Sequence, residues 1–413
     1  MLSSTGGEGE DAPTQRMIQN DIHEWAASLG RSNNNVVTRN LHGTCHDLRS
    51  FDKNTDLNSV SYVIPNHGKL KCYGCNRMCP STHPVYVFSC IDCGAFFQKQ
   101  RHHTRDLTGK YALVVGARTK LGHQVVIKLL AAGATVIGTT RRPEQAVDLF
   151  SSYPEWIGEG WKARLFFYPD ALDLDVPNIS RRAEELCAYI RDSITAPCIN
   201  IVVFCAAQTI RVREKIVVVS STHQGGEGEG ERETNRYGDA KYVRRPDGDD
   251  GKPIMMEINS WNMHLEDMEQ VEMEEVYRVN AVAPCLLTRS LLPLLRACEA
   301  DPPYIVNVHA REGLLNVPKG DNHLHTNMAK AGLAMLTRCL VGQRYRTHQG
   351  EKFRVCGCDP GWISVDEYYE THRPWRVPPL DEIDGAARIL HPVMNNLECG
   401  SSKTRRHFRY FVN

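Results

Sequence analysis

The sequence of 413 residues predicts an α/β fold, in which helices cover both faces of a doubly wound parallel sheet and a small cysteine module precedes it. Three observations predict this arrangement. Short apolar runs alternate with amphipathic stretches from residue 107 onward, a glycine-bearing turn joins the first run to the next helix, and two C-x-x-C pairs lie upstream. The chain thus divides into a polar extension (1–66), the cysteine module (67–104) and the α/β domain (105–413).

The polar extension is rich in Asn, Ser, Asp and Gly, and its stretch MIQNDIHEWAASLG has the spacing of a short amphipathic helix. The acidic start MLSSTGGEGEDAP lacks the apolar core of a secretory or mitochondrial leader. No run approaches the ~20 apolar residues that span a bilayer. We therefore expect a cytoplasmic protein without a membrane anchor. The formal net charge is zero, and the local basic clusters are expected to be solvated surface, which disfavours nucleic-acid binding.

The two C-x-x-C pairs form the pattern C-x2-C-x14-C-x2-C, whose members are Cys72, Cys75, Cys90 and Cys93. Two-residue spacing lets both thiolates of a pair face one metal ion, and two pairs complete a tetrahedral site. Soft thiolate ligands favour zinc over hard cations, so we expect a zinc ribbon around a structural Zn2+. Cys79 and His83 lie nearby and leave the ligand set open, and an iron–sulfur cluster is the alternative.

The α/β domain contains six strand-like runs separated by amphipathic stretches, which together predict a doubly wound Rossmann fold. The runs are YALVVGA, ATVIGTT, ARLFFYPDALD, NIVVFCAA, YIVNVHA and FRVCGCD. Residues 211–258 interrupt the alternation with GGEGEGERETNRYGDAKYVRRPDGDDGKP. This composition predicts a solvated insertion without regular structure, and a lid or a partner-binding loop is the alternative.

The turn VVGARTKLGHQVVIKLL follows a predicted strand and opens a helix, the context in which a glycine motif indicates dinucleotide binding. Gly116 permits a tight turn, and Gly122 permits close packing of the helix on the strand. Exposed amide groups at the helix start would hold a pyrophosphate. Arg118, Lys120 and Leu121 complete this glycine loop, which we define as residues 115–122.

Basic residues at the end of the second predicted strand indicate which dinucleotide is bound. An NAD site would place an acid there to hold the ribose hydroxyls. The sequence instead has Arg141 and Arg142 in GTTRRPE, and Arg118 lies in the glycine loop. Guanidinium groups bind phosphate through paired hydrogen bonds, so Arg118 and Arg141 favour NADP(H) over NAD. Arg142 is equally consistent with an exposed residue at the helix start.

The glycine loop resembles the T-G-x-x-x-G-x-G motif of the short-chain dehydrogenase/reductase superfamily. Val115, Gly116, Lys120 and Gly122 occupy its four marked positions, so Val115 replaces the threonine and Lys120 the middle glycine. The likeness covers residues 107–394. With its N-terminal four-cysteine module, the chain looks like an atypical branch of this superfamily.

The resemblance implies further cofactor contacts. Asn280, in VYRVNAVAP, matches the asparagine of the superfamily's fourth helix, and DPGWIS matches the loop that passes along the nicotinamide ring. FCAAQ takes the place of N-N-A-G and keeps only an alanine. The further residues implied are Asp173, Ala206, Ala207, Pro360, Gly361 and Ile363.

The stretch HLHTNMAKAGLAML resembles the superfamily's active-site helix, in which a tyrosine stands four residues before a lysine. The lysine is Lys330, which in the superfamily also binds the nicotinamide ribose, but Thr326 occupies the tyrosine position and Ala310 that of the serine. An alkyl hydroxyl is a far weaker acid than a phenol, so Thr326 is a candidate by position alone. A histidine is the candidate proton donor: His309 lies beside Ala310, and His323 and His325 lie beside Thr326. Strand alternation places His309 on the opposite face from Ala310.

These features support two hypotheses of different class. The first is an NADP(H)-dependent oxidoreductase that transfers hydride to a carbonyl or imine, with Lys330 and Asn280 retained and a histidine or water supplying the proton. The second is a catalytically inactive NADP(H) sensor or scaffold that contacts a protein partner through its zinc ribbon or insertion. The substrate of the enzyme would be an unknown small molecule. By resemblance, the chain would form homo-oligomers through its fourth and fifth helices.

Overall fold

The computed structural model describes residues 37–39, 45–47, 71–79, 82–83, 85–86, 88–158, 160–208, 212–220, 241–245, 254–259, 264–342, 344–363 and 378–397. For residues 37–39, 45–47, 212–220, 241–245 and 254–259 it describes the backbone alone. The helix expected around residues 17–30 lies outside the described residues.

Strands are numbered in chain order. They are β1 (Val37–Arg39), β2 (Cys45–Asp47), β3 (Tyr111–Val115), β4 (Thr135–Thr139), β5 (Leu165–Phe167), β6 (Ile201–Phe204), β7 (Val212–Ser220), β8 (Lys241–Arg245), β9 (Ile254–Asn259), β10 (Tyr304–Val308) and β11 (Arg354–Cys358).

Helices follow the same numbering. They are α1 (Ile91–His102), α2 (Lys120–Ala131), α3 (Pro143–Ser151), α4 (Glu155–Gly158), α5 (Ile179–Asp192), α6 (Gln270–Tyr277), α7 (Ala283–Arg296), α8 (Leu324–Leu340) and α9 (Glu382–Met394), with a π-helix at Arg278–Val282 that joins α6 to α7.

Six parallel strands form the main sheet in the order β5-β4-β3-β6-β10-β11. The first strand of this sheet, β3, is a central strand. The next two, β4 and β5, lie on one side of it, and the chain then crosses to the other side with β6. All six predicted runs therefore form strands, and the doubly wound Rossmann topology is confirmed. The order reverses between β3 and β6, which is where folds of this type bind ligands.

Two apolar cores lie on the two faces of the sheet because successive strand side chains point in opposite directions. Ala112 and Val114 of β3 pack in one core with α2, α3 and α9. Leu113 and Val115 pack in the other with α5 and α7. All four side chains are 0–1% exposed, so β3 is the centre of the fold on both faces.

The insertion contains regular structure that its composition did not predict. Strand β7 pairs in parallel with β8 and antiparallel with β9, which gives a three-stranded sheet. The apolar run IVVVS within β7 has high strand propensity, but the Gly and Glu around it dominate the composition. In the polar extension, β1 and β2 form an antiparallel pair.

A buried ion-pair cluster joins the cysteine module to the α/β domain. Arg101, at the end of α1, donates from Nη1 to both carboxylate oxygens of Asp381 at 2.8 and 2.9 Å, and lies 3.1 Å from Oδ1 of Asp384. Tyr86 donates its hydroxyl to Asp384 at 2.7 Å. Asp381 and Asp384 also form the capping box of α9. The start of α9 is therefore held by charges from the module.

Burial of Asp384 raises its pKa to about 7, the neighbouring charge of Asp381 adds to this effect, and Arg101 opposes it. Lys128 of α2 extends the cluster by donating to the carbonyl oxygen of Arg101 at 2.8 Å. The cluster thus contacts α2 and α9, two of the three helices that cover this face of the sheet.

No helix among the residues described is both long and apolar enough to cross a membrane.

We predict that Arg101→Met strongly destabilises the protein, because two carboxylates would stay buried without their cation. The loss of unfolding free energy should be ~3–5 kcal/mol, measured by urea unfolding. Arg181→Met is the matched control, because the side chain of Arg181 is 77% exposed in its pair with Glu185, and such pairs contribute ~0.5 kcal/mol. Equal losses in the two variants would contradict a structural role for the buried cluster.

Candidate functional site

The turn after β3 is hydrogen-bonded to both neighbouring strands at the carboxyl edge of the sheet. The carbonyl oxygen of Thr139, at the end of β4, accepts the backbone N–H groups of Gly116 at 3.0 Å and Ala117 at 2.9 Å. On the other side, the carbonyl oxygen of Val115 accepts the N–H groups of Cys205 at 2.9 Å and Ala206 at 2.8 Å. The glycine loop therefore lies at the point where the strand order reverses.

Both glycines of the loop occupy positions without room for a side chain. A Cβ atom on Gly122 would lie 1.9 Å from the carbonyl oxygen of Gly116. At Gly116, φ is +88° and a Cβ atom would lie 2.7 Å from the backbone nitrogen of Ala206. Helix α2 thus begins directly against the turn, at the carboxyl edge of the sheet, and the start of a helix is a place that favours phosphate groups.

Lys120 adopts a backbone conformation that favours glycine. Its φ is +51°, at the first residue of α2, and its side chain is exposed. The left-handed region costs a residue with a Cβ atom ~1–2 kcal/mol. A glycine at this position would avoid this cost.

The two arginines selected from the sequence follow neighbouring strands. Arg118 comes after β3 and is half-buried, and Arg141 comes after β4 and is exposed, as is Arg142. Because β3 and β4 pair in parallel, both arginines lie at the carboxyl edge of the sheet. Asp173 follows β5, the next strand outward, and its carboxylate accepts the N–H of Asp175 at 3.0 Å.

Asn280 lies within the π-helix and is 1% exposed. Its amide nitrogen donates to the carbonyl oxygens of Gln208 at 2.6 Å and Val276 at 2.9 Å. Gln208 comes directly after Ala206 and Ala207, in the segment that follows β6. Asn280 therefore links the helical segment formed by α6, the π-helix and α7 to the carboxyl edge of the sheet. Its Oδ1 atom is buried and has no hydrogen-bond partner among the described residues. Single π turns occur frequently at functional sites.

Lys330 is the central charged group of the site. Its ammonium group is buried and donates to the carbonyl oxygen of Val308, the last residue of β10, at 3.0 Å. Burial lowers the pKa of Lys330 to about 8, and the charges of Glu312, Cys205 and Asp359 oppose this shift. The ammonium form therefore predominates at neutral pH but titrates at mildly alkaline pH.

The two positions at which the sequence resemblance implies an acid and a serine, residues 326 and 310, bear neither. Thr326 is one helical turn before Lys330, is 1% exposed, and its hydroxyl has no hydrogen-bond partner in the described part of the chain. Ala310 is the second residue after β10 and is half-buried. His309 bonds Thr337 through Nε2 at 2.8 Å.

Burial of His309, together with the charge of Lys330, lowers its pKa to about 3. The imidazole is therefore neutral near pH 7 and does not provide an imidazolium acid. His325, the residue before Thr326, is buried and lines a cleft of about 470 Å³. The other lining residues come from the start of α5, the α6–α7 region and α8, and none of them is a predicted cofactor-binding residue.

The residues expected to pass along the nicotinamide form a turn after β11, residues 360–363. Gly361 has φ of +84°, and its N–H bonds the carboxylate of Asp359 at 2.8 Å. Arg388 of α9 donates from Nε to the carbonyl oxygen of Asp359 at 3.3 Å. The same guanidinium group lies 5.9 Å from the ring centre of Phe97 on α1. The turn is thus held by α9 and lies next to the cysteine module.

The four cysteines of the paired motif come together. The sulfur atoms of Cys72, Cys75, Cys90 and Cys93 all lie within 4.8 Å of one another. A tetrahedral zinc site with Zn–S bonds of ~2.3 Å has sulfurs ~3.8 Å apart, and the Cys75 and Cys90 sulfurs are 3.9 Å apart. The sulfur of Cys72 accepts backbone N–H groups from Cys75 at 3.4 Å and Cys90 at 3.2 Å. This donor set fits a soft metal ion.

The two other candidate ligands are not members of this group. Cys79 packs in the apolar cluster of the module, and burial raises its pKa. His83 accepts the N–H groups of Val85 and Tyr86 on Nδ1, at 3.2 and 3.3 Å. The second cysteine pair begins α1 instead of a second hairpin, with Cys90 as its N-cap. The module is therefore a knuckle followed by a helix, which differs from the expected ribbon.

Sequence reasoning missed three contributors to the site. Glu312 and Asp359 act on the charge of Lys330, and Tyr73 accepts the N–H of Trp362 at 2.7 Å. Asp359 directly precedes the P-G pair, so its position was a usable signal. The contact of Tyr73 spans 289 residues of sequence and has no local signal.

The structure is similar to solved short-chain dehydrogenases at low sequence identity. The short-chain dehydrogenase from Shigella flexneri has a TM-score of 0.47 and 17% identity, with 70% of this chain and 90% of that chain covered. The carbonyl reductase Sniffer of D. melanogaster has a TM-score of 0.47 and 15% identity, with 70% and 92% covered.

No family model matches the sequence. A relative of similar sequence is the uncharacterized protein R665 of Acanthamoeba polyphaga mimivirus, which is 34% identical over 339 residues. The matched region covers 78% of this chain and 71% of the viral protein. At this identity and coverage, the chain belongs to the same family as the mimivirus protein R665.

Proposed function

We propose that the protein is an NADP(H)-binding oxidoreductase that reduces a carbonyl or imine without the usual serine and tyrosine. The observation that carries this proposal is the set of residues at the carboxyl edge of the sheet, where the strand order reverses. The glycine loop and the two arginines follow strands that end at this edge, and Asn280 and Lys330 bond the carbonyl oxygens of Gln208 and Val308, which follow or end β6 and β10. Rossmann sheets bind dinucleotides at this place.

The residues at this edge support dinucleotide binding. Gly116 and Gly122 let α2 begin directly against the turn, because a Cβ atom at either position would meet backbone atoms, and the start of a helix favours a bound pyrophosphate. Arg118 and Arg141 would bind the 2′-phosphate of NADP(H), and Asp173 would lie near the adenine. Lys330 would donate hydrogen bonds to the nicotinamide ribose, and the turn at residues 360–363 would lie along the nicotinamide ring.

When bound, NADPH supplies the hydride that reduces the substrate carbon. The ammonium group of Lys330 would stabilise negative charge that develops on the substrate. A water molecule near Asn280 is the favoured proton source, because His309 is neutral and bonded to Thr337. An imine substrate would reduce the need for a strong acid, since it can arrive already protonated. Acid–base groups of this kind contribute ~10²–10⁴ in rate, so a modest turnover is expected.

The second candidate function is a catalytically inactive NADP(H) sensor or scaffold. The observation that favours it is the replacement of both hydroxyl donors, with Thr326 buried and Ala310 unable to orient a carbonyl. Both functions require NADPH binding. A turnover measurement distinguishes the two functions, because the scaffold would bind NADPH without oxidising it in the presence of any carbonyl or imine.

We predict that the protein binds NADPH at least ~10-fold more tightly than NADH, measured by isothermal titration calorimetry. Arg118→Ala and Arg141→Ala should each weaken NADPH binding by ~10-fold or more, because each removes a charge-assisted bond to the 2′-phosphate. NADH binding should change little. Arg181→Ala, at an exposed position on α5, is the control. Equal affinity for both nucleotides, or no effect of the two variants, would overturn the assignment.

We predict that NADPH affinity falls as pH rises through about 8, because Lys330 loses its proton there. The lysine is charged below this pKa and neutral above it, and a charged donor bonds more strongly than a neutral one, so affinity should fall ~5-fold. The 2′-phosphate, with a pKa of ~6, is already ionised in this range. Lys330→Arg should bind NADPH without the step near pH 8. A step that survives this substitution would exclude Lys330 as its source.

We further propose that the cysteine module binds one structural Zn2+ through Cys72, Cys75, Cys90 and Cys93. Their mutual spacing supports tetrahedral coordination. The backbone N–H and side chain of Arg77 lower the pKa of Cys75 to about 6, which favours the thiolate form that binds metal. Such a site would stabilise the knuckle.

We predict about one equivalent of zinc per chain, measured by inductively coupled plasma mass spectrometry. Cys75→Ser should lose most of the metal and lower the unfolding temperature, whereas Cys79→Ser should retain the metal because Cys79 lies outside the four-thiol group. Equal metal loss in both variants would contradict the ligand set. Iron with visible charge-transfer absorbance would identify an iron–sulfur cluster instead of zinc.

A further inference from the structure

The turn at residues 360–363 contacts the cysteine module as well as its own α/β domain. The hydroxyl oxygen of Tyr73 accepts the backbone N–H of Trp362 at 2.7 Å. At Gly361, a Cβ atom would lie 2.7 Å from the same oxygen and 2.9 Å from Cδ1 of Leu380. The hydroxyl of Tyr73 therefore sits against the backbone of the turn, and the turn can approach it because residue 361 is glycine.

The position of Tyr73 is set by the thiol cluster. Tyr73 directly follows Cys72 in the first knuckle, and its N–H bonds the carbonyl oxygen of Phe88 at 2.8 Å. Phe88 is two residues before Cys90, which belongs to the second pair of thiols. Both ends of this short backbone connection are thus fixed by residues next to the predicted metal ligands.

An apolar contact runs beside the hydrogen bond. Ile363, at the end of the turn, and Leu380 pack in the apolar cluster of the module with Cys72 and Cys93. Ile363 also lies close to the glycine loop, since a Cβ atom on Gly385 would meet Ile363 at 3.2 Å and Leu121 at 2.5 Å. A continuous series of contacts therefore extends from the thiols through the turn to the glycine loop.

We propose that Tyr73 is a positioning residue that couples the four-cysteine site to the nicotinamide half of the cofactor site, so that metal binding strengthens NADPH binding. This inference rests on the proposed NADP(H)-binding function. Tyr73 contacts the backbone of residues 361 and 362. Its effect should therefore fall on the half of the cofactor that meets residues 360–363.

The test compares two ligands that differ by the nicotinamide group, NADPH and 2′-phospho-ADP-ribose. Their affinities are measured by calorimetry for the full-length, metal-replete protein and for Tyr73→Phe, which keeps the ring and removes the hydroxyl. Tyr189→Phe is the matched control, because its hydroxyl donates to the carbonyl oxygen of Phe167 at 3.2 Å, beside β5 at the opposite edge of the sheet from β11. The unmodified protein and Tyr73→Phe are both measured again after treatment with a metal chelator.

We expect Tyr73→Phe to weaken NADPH binding ~3- to 10-fold, the range for one lost hydrogen bond, and to leave 2′-phospho-ADP-ribose binding within ~2-fold. Metal removal should weaken NADPH binding in the unmodified protein more than in Tyr73→Phe, because the two changes act through one contact. An unchanged NADPH affinity in metal-replete Tyr73→Phe, or equal weakening of both ligands, would overturn the inference alone. If neither ligand binds the unmodified protein, the proposed function fails and the inference fails with it.

Discussion

The close packing of α2 on the turn before it is the constraint on which the site depends. The carbonyl oxygen of Gly116 occupies the space that a side chain at residue 122 would need. This contact places the start of α2 at the carboxyl edge of β3, between the ends of β4 and β6. The arginines lie at the same edge because they follow β3 and β4, and Asn280 reaches it through its hydrogen bond to Gln208. Lys120 keeps the backbone conformation of this turn at an energetic cost.

Features with a local cause were predictable from the sequence, and those with a tertiary cause were not. The six strands follow from apolar runs, and the thiol group follows from cysteine spacing. The bond between Arg101 and Asp381 spans 280 residues, and neither residue lies in a motif that indicates the other. Helix α1 after Cys90 was also missed, because the short aromatic-rich spacer is compatible with a hairpin or a helix start.

In the proposed function, cofactor positioning and proton delivery are separate tasks. Asn280 and Lys330 are held by hydrogen bonds to the backbone carbonyl groups of Gln208 and Val308. These bonds involve neither residue 310 nor residue 326. His309 lies next to position 310 in the sequence but is a poor proton donor, because the surrounding core and the neighbouring charge of Lys330 both disfavour its protonation.

The π-helix at Arg278–Val282 accommodates an extra residue within a continuous helical segment. A π turn holds one residue more than an α turn, so α6 and α7 keep nearly the same rotation about the axis as in a regular helix. Deletion of one residue there should therefore leave Leu287 and Leu291 in the core and change chiefly the contact between Asn280 and Gln208. Each residue of an α-helix advances ~100° around the axis, so the same deletion within α7 should instead turn its apolar face out of the core.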